Sequence, residues 1–337
     1  MKMNNKYIFV ILGVVIVVLG SAFILWPRLY KGYSGKMESI TFGVVPSEGH
    51  ALLYIAQDQH FFTNNGLRVV VKSDFFSGVD ALNGLLSNEI DIADSAEYAV
   101  VKRAFEKSKV SIVATVDKEF GFTLNARKDR GIENIADLKG KRIGLICKAV
   151  QSFHLERFLS LHGVNVGDVN LVDMEPPQTV DALRDGFVDA VVSYGSVTYE
   201  IQRKLAGNLV RWSIQSGQPS FGVYVCRNEW IAQHPELVDR FLKSLAQAED
   251  YLIRNPASYK NVLRKLFSYE DEFLETTWSE NQFYLSLDQS LVAAMEGEAR
   301  WMIKNGITIE KTVPDFTRYI YIDGLNAIKP EAVNIFR

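Results

Sequence analysis

The chain has 337 residues, 47% of them hydrophobic and 23% charged, with 37 basic and 40 acidic side chains and a formal net charge of −3. Five of the basic residues and none of the acidic ones fall within residues 1–37, so the remainder carries 32 against 40, a net charge near −8. The length suits one large or two medium globular domains, and a domain this acidic, with no basic cluster, is not built to hold nucleic acid.

The first element is the apolar run Tyr7 to Trp26, YIFVILGVVIVVLGSAFILW, preceded by Lys2 and Lys6. Twenty uncharged residues are enough for one bilayer-spanning helix and exceed the usual apolar core of a signal peptide, ~7–15 residues. Gly20-Ser21-Ala22 offers a small-residue cleavage site, and no cysteine follows for a lipid anchor. The expectation is a membrane anchor, with a cleaved signal as the alternative, followed by a tether over residues 28–37.

Strands and helices then alternate, as in a mostly parallel sheet flanked by helices. The pattern predicts strand 40–45, helix 51–62, strand 67–72, helix 79–86, strand 90–93, helix 97–105 and strands 110–116 and 122–126. A second unit follows, with strand 142–147, helix 152–162, strand 169–174, helix 179–185 and strand 190–192. The chain returns through strand 221–226 and is helical from Pro235 onward, where Leu237, Phe241, Leu245 and Leu252 share one face. Cys147 and Cys226 sit on predicted strands and read as buried, inert thiols.

Two segments share one grammar. VDALNGLLSNEIDIADSA (79–96) and TVDALRDGFVDAVVSYGS (179–196) each run helix, turn at Asn88 or Gly186, strand, then a small polar loop, with Asp91 and Asp189 three residues after the turn. The reading is two α/β lobes, residues 38–125 with 222–337 and residues 126–221, with strand-end loops meeting at a cleft.

Several stretches in order resemble the nitrate, sulfonate and taurine branch of ABC-importer substrate-binding proteins. They are Leu53-Tyr54-Ile55-Ala56, Phe61-Phe62 with Gly66-Leu67, Ala81-Leu82 and Asp91, the run Ala136 to Gly144 (ADLKGKRIG), Ala182-Leu183 with Gly186 and Asp189-Ala190, and Pro235 to Val238 (PELV). The resemblance implies a two-lobed α/β fold of the periplasmic-binding-protein kind (type II) with two hinge crossings, here preceded by one transmembrane or signal helix. It also implies an extracytoplasmic monomer, a small-molecule ligand closed between the lobes, and delivery to an ABC permease and its ATPase. The sequence departs from the family pattern at His60, where glycine is usual, at Lys148 to Ser152, and in the loop Ser193 to Ser196.

In such sheets the ligand crevice lies beyond the carboxyl ends of the strands. Candidate contacts in lobe one are Ser47, Glu48, Gly49 and His50, then Ser77 and Gly78, Ser95 and Glu97, and Asp117. Lobe two supplies Gln151, Ser152, Tyr194 and Ser196. Serines at helix starts suit an anionic group. The acids Glu48, Glu97, Asp117 and Glu119, opposed only by Lys118 and Lys148, argue against a bare inorganic anion and for an aminosulfonate zwitterion or another amine-bearing molecule. Phe75, Phe76, Tyr98 and Phe120 are candidates to pack its apolar part. No metal-ligand spacing, phosphate loop or nucleophile elbow is present, and the cysteine-rich motif of the thiamine-pyrimidine synthases on this fold is absent, so neither catalysis nor a cofactor is expected. The alternative reading is a membrane-anchored sensor that reports ligand occupancy to a partner.

Overall fold

Short apolar runs rich in Ile, Val and Phe form the strands, and longer runs with one apolar face form the helices around them. The computed structural model describes residues 33–336 except Phe76 and Lys148. The anchor expected over residues 7–26 and its cleavage site lie outside the described residues. Among those residues no helix is long and apolar enough to cross a membrane.

The strands are β1 (Glu38–Gly43), β2 (Leu67–Lys72), β3 (Ile92–Ala96), β4 (Val110–Glu119), β5 (Thr123–Arg127), β6 (Arg142–Leu145), β7 (Asn170–Asp173), β8 (Ala190–Ser193), β9 (Leu209–Ser213), β10 (Ser220–Arg227) and β11 (Asn281–Ser286). Between them lie α1 (Ala51–Asp58), α2 (Phe61–Asn64), α3 (Gly78–Leu86), α4 (Glu97–Phe105), α5 (Val150–Leu161), α6 (Pro176–Asp185) and α7 (Gly195–Leu205). The C-terminal part adds α8 (Asn228–Gln233), α9 (Pro235–Arg254), α10 (Ala257–Phe267), α11 (Asp271–Glu280), α12 (Gln289–Lys304) and α13 (Asp323–Ile328).

Two sheets result, in the orders β11-β4-β10-β3-β1-β2 and β7-β6-β8-β5-β9. In the first, β1 runs parallel to β2 and β3, while β10 is antiparallel to β3 and β4. In the second, β6 is parallel to β7 and β8, and β5 is antiparallel to β8 and β9. Each sheet has its own core. Phe42, Tyr224, Phe62 and Phe241 pack ring against ring in the first, and Leu124, Ile143, Leu155 and Leu159 fill the second. The α9 face of Leu237, Phe241, Leu245 and Leu252 is buried as expected. This is the two-lobed periplasmic-binding-protein fold.

The chain crosses between lobes twice, from β4 to β5 and from β9 to β10. Buried Gln215 ties the crossings together: its amide donates to the Glu119 carbonyl at 2.7 Å and its side-chain oxygen accepts from Phe122 N–H at 3.0 Å. The boundaries expected after Asn125 and after Phe221 fall inside β5 and β10.

The aspartates of the repeated segments are clamps between strands. Asp91 accepts from the backbone and hydroxyl of Thr41 on β1, at 2.8 and 2.6 Å. Asp189 accepts from the backbone and guanidinium of Arg142 at the start of β6.

The structure corrects several expected elements. The helix expected over 51–62 is two, broken at His60, whose φ of 59° is left-handed and explains why glycine suits that position. The strand β4 extends to Glu119, and β9, α7 and β11 lie where the sequence pattern gave no element, so the chain beyond Pro235 is not wholly helical. Cys147 falls past the end of β6 and is half-buried, whereas Cys226 is buried.

Candidate functional site

Strand direction decides what meets at the cleft. The strands β1, β2, β3 and β4 all point the same way, so the loop after β1, the loop after β2 and the ends of β3 and β4 gather at one edge of sheet one, beside the start of β10. At sheet two, the loops after β6, β7 and β8 gather beside Phe122, just before β5. A cavity of about 340 Å³ lies between these edges. That is within the size range of small-molecule sites.

Ten of the thirteen expected residues line it: Ser47, Glu48, Gly49, His50, Ser77, Gly78, Ser95, Asp117, Gln151 and Tyr194. Ser47 makes no capping bond, whereas Ser77 caps α3 by accepting from Asp80 N–H at 3.1 Å. The other three are elsewhere. Glu97, at the first turn of α4, points into lobe one, where it accepts from Phe221 N–H at 3.0 Å and from Ser220 at 3.4 Å. Ser152 is buried with its hydroxyl donating to the Ile146 carbonyl at 3.3 Å. Ser196 is exposed and meets the site only through its backbone, which hydrogen-bonds Glu48. Phe75 and Tyr98 belong to the core of lobe one, and Phe76 and Lys148 lie outside the described residues. The sequence reading did not place Asp94, Phe122, Glu175, Phe221 and Asn281 on the lining. Glu119, counted from the sequence among the strand-end acids, joins Asp117 there because residues two apart on a strand share a face.

The cavity is acidic. Asp117 and Glu119 face it from β4, while Lys118 between them points away and donates to Asp288 at 2.8 Å and Ser290 at 3.2 Å. Asp94 is buried 3.4 Å from His50, whose same ring nitrogen lies 2.9 Å from the Val45 carbonyl. Burial, reinforced by Glu119, Glu48 and Asp94, raises the Asp117 carboxyl well above the ordinary range. Burial, with Glu48 and Glu280, pushes Glu119 up to about 8. Burial also raises Asp94 and Glu48, against the lowering effect of His50. Among the described residues no lysine or arginine lines the cavity.

Glu48 crosses between lobes. Its carboxylate accepts from Ser196 N–H at the start of α7, and one oxygen lies where a side chain at Gly195 would begin. The φ of 50° at Gly195 makes that position doubly hostile to any other residue. An acid from lobe one thus occupies the N-terminus of a lobe-two helix, the place where backbone N–H groups favour negative charge. Tyr194 packs at a tilt against Phe122, ring centres 5.0 Å apart, and the two rings form an aromatic wall of lobe two.

Direct contacts between lobes flank the cavity. On one side the Trp301 indole donates to Glu156 at 2.6 Å, Lys304 pairs with the same carboxylate at 2.8 Å, and Phe153 packs edge-on against Trp301. On the other, Arg203 pairs with Glu270 at 2.8 Å and Tyr199 packs on Phe273.

A family model described as NMT1/THI5 like matches residues 47–258, which include most of both lobes and nearly all of the cavity lining. The chain belongs to the NMT1/THI5-like family. Within that family it is similar to the taurine-binding periplasmic protein of Escherichia coli, 25% identical over 205 residues that cover 60% of this chain and 63% of that one. It is also similar to the 4-amino-5-hydroxymethyl-2-methylpyrimidine phosphate synthase of Aspergillus parasiticus, 24% identical over 232 residues, 62% of this chain and 64% of that one. In fold it matches the alkanesulfonate-binding protein SsuA of Xanthomonas axonopodis bound to MOPS, with a TM-score of 0.70 at 17% identity over 86% of this chain and all of that one. The taurine- and alkanesulfonate-binding proteins among these agree with the sulfonate and taurine resemblance carried by the sequence.

Proposed function

We propose that this NMT1/THI5-like chain is the extracytoplasmic substrate-binding protein of an ABC importer, capturing a small organic solute between its lobes and delivering it to a permease and its ATPase. The observation that carries the reading is the cavity itself. It is closed from both lobes, it joins an aromatic wall of Phe122 and Tyr194 to a polar floor, and neither lobe alone encloses it. The taurine- and alkanesulfonate-binding relatives support a solute of that size, sulfonate-like or amine-bearing. In this reading the thirteen residues expected from the sequence divide: the ten on the lining contact solute, Ser196 acts through its backbone, and Glu97 and Ser152 hold the frame.

The chain binds and does not transform its solute. This chain is similar to both a binder and a synthase, so the distinction rests on its own groups. Cys226 is buried and its thiol is pushed far up by burial, and Cys147 is off the lining. No group of His, Cys, Asp and Glu among the described residues is arranged to hold a metal. Calorimetry on a fragment starting at Met37, against a panel of sulfonates, amines and pyrimidines, tests the reading when paired with product analysis. Binding with the compound recovered unchanged is expected, and turnover of a bound compound overturns it. Retention of the full chain in the membrane fraction after a salt wash is the outcome expected for an anchored protein.

A further inference from the structure

Resting on the reading above, we infer that the cavity is selective for net-cationic organic solutes, whose positive nitrogen seats among Asp94, Asp117 and Glu119 and enters in exchange for protons held there. The argument begins with what is unpartnered. Asp117 is 6% exposed, Gln151 is 4% exposed, both line the cavity, and Asp117 Oδ1 and Gln151 Oε1 have no hydrogen-bond donor. Both orphans are acceptors, one in each lobe, and a buried acceptor without a donor is costly. A ligand that donates N–H bonds satisfies both, and a sulfonate satisfies neither.

The charges point the same way. Glu48 faces the cavity from the turn after β1, Asp94 from β3, Asp117 and Glu119 from β4, and Glu175 from the start of α6, while His50 and Tyr194 are the other titratable groups on the lining. Glu280 stands beside Glu119 behind Gly121, with Arg211 as the opposing charge near it. The start of α7 in lobe two, which would suit an anionic group, is already filled by Glu48. The starts of α3 and α5 also reach the lining, but five acids and no lysine or arginine face the cavity among the described residues, so its field favours a cation over an anion.

Acids gathered in one cavity cannot all be ionised without a counter-charge, and burial raises Glu48, Asp94, Asp117 and Glu119. The arriving cation supplies the missing positive charge, and the protons leave to solvent. Affinity for a permanent cation therefore rises with pH across the neutral range.

The test is calorimetry in two buffers of different ionisation enthalpy, at about pH 6 and about pH 8, on the full chain in detergent. The cationic probes are methylguanidine, benzylamine and benzamidine, all protonated N–H donors at both pH values, and the counterparts are taurine, ethanesulfonate and benzoate. Cation binding with proton release, stronger at the higher pH for methylguanidine, is expected. Asp117→Asn and Glu119→Gln should each weaken it about tenfold or more, the scale of one lost charge-assisted hydrogen bond. Both variants should unfold at the same temperature as the parent or higher, since each removes like-charge repulsion. Binding of the counterparts in place of the cations, binding of none of the six, or cation binding without proton release overturns the inference. Scattering on the same samples separates the two claims. A counterpart that binds and shrinks the radius of gyration leaves the importer reading standing and removes only the charge selectivity.

Discussion

Tyr194 and Phe122 present most of the aromatic surface that lobe two turns toward the cavity, so their rings should carry much of the apolar affinity. Tyr194→Ala is expected to weaken solute binding by ~1–3 kcal/mol, the scale of one buried packing surface, as read by calorimetry with the tightest-binding solute. Asp91→Ala should behave oppositely. It removes two bonds to Thr41 and should lower folding stability by about 2 kcal/mol in urea titration while leaving affinity unchanged. A change in affinity without a change in stability would place Asp91 in the site rather than in the frame. At this scale the sequence was readable where a residue stands just past an apolar strand, as Ser47, Glu48 and Asp117 do. It was not readable where side-chain direction decides. Glu97 follows a strand end as Ser95 does, yet it opens α4 and turns inward to the β10 backbone. Phe122 looked like the first residue of a strand, and only the hinge geometry turns its ring to the cavity.

The contacts that hold the lobes together come from α5 and α12 on one side and α7 with α11 on the other. Glu156 on α5 is the centre of the first set, accepting from Trp301 and pairing with Lys304. Glu156→Ala should shift the empty protein toward an open form by about 1–2 kcal/mol, after allowance for the exposure of Lys304. The measurement is the radius of gyration without solute, which should rise in the variant. An unchanged radius would mean these contacts follow closure without stabilising it. At the element scale the alternation of strand and helix was legible because period-two and period-3.6 patterns differ strongly in β1 to α4. The later elements were harder. The half-exposed β9 lacks an apolar run, and β11 sits between two helices with Asn281 and Gln282 at its start, so neither carries the usual signal. The doubled pattern around Asp91 and Asp189 did reveal a shared architecture, and the structure gives its cause: each aspartate locks one strand to its neighbour.

For the molecule as a whole, buried acids should make stability fall toward neutral and alkaline pH. Glu97 and Glu298 are both fully buried and close enough to repel, and Glu97 Oε1 and both oxygens of Glu298 have no donor, so a proton held between them relieves the pair. Burial pushes Glu97 up to about 7 and Glu298 well above its ordinary range, and Glu119 sits at about 8. The folded state thus keeps protons that the unfolded chain releases near pH ~4.3. Their stabilising effect is complete below that point and is lost as pH rises through about 7 and about 8. The unfolding temperature of the empty protein should drop across this interval, and Glu298→Gln, which retains a neutral partner for Glu97, should flatten the drop. A flat profile in the parent would contradict the shared proton. The two-lobed plan was legible from the order of elements and several of the cleft acids from their place after strands, whereas the third dimension was needed to send Lys118 away and bring Asp94 in. The central claim is that both lobes close on one small solute. Small-angle scattering at saturation with a solute that raises the unfolding temperature tests it most directly. A smaller radius of gyration in the bound parent, lost in Tyr194→Ala at the same concentration, is the predicted result. An unchanged radius with tight binding in both would contradict it and put the site outside the cleft.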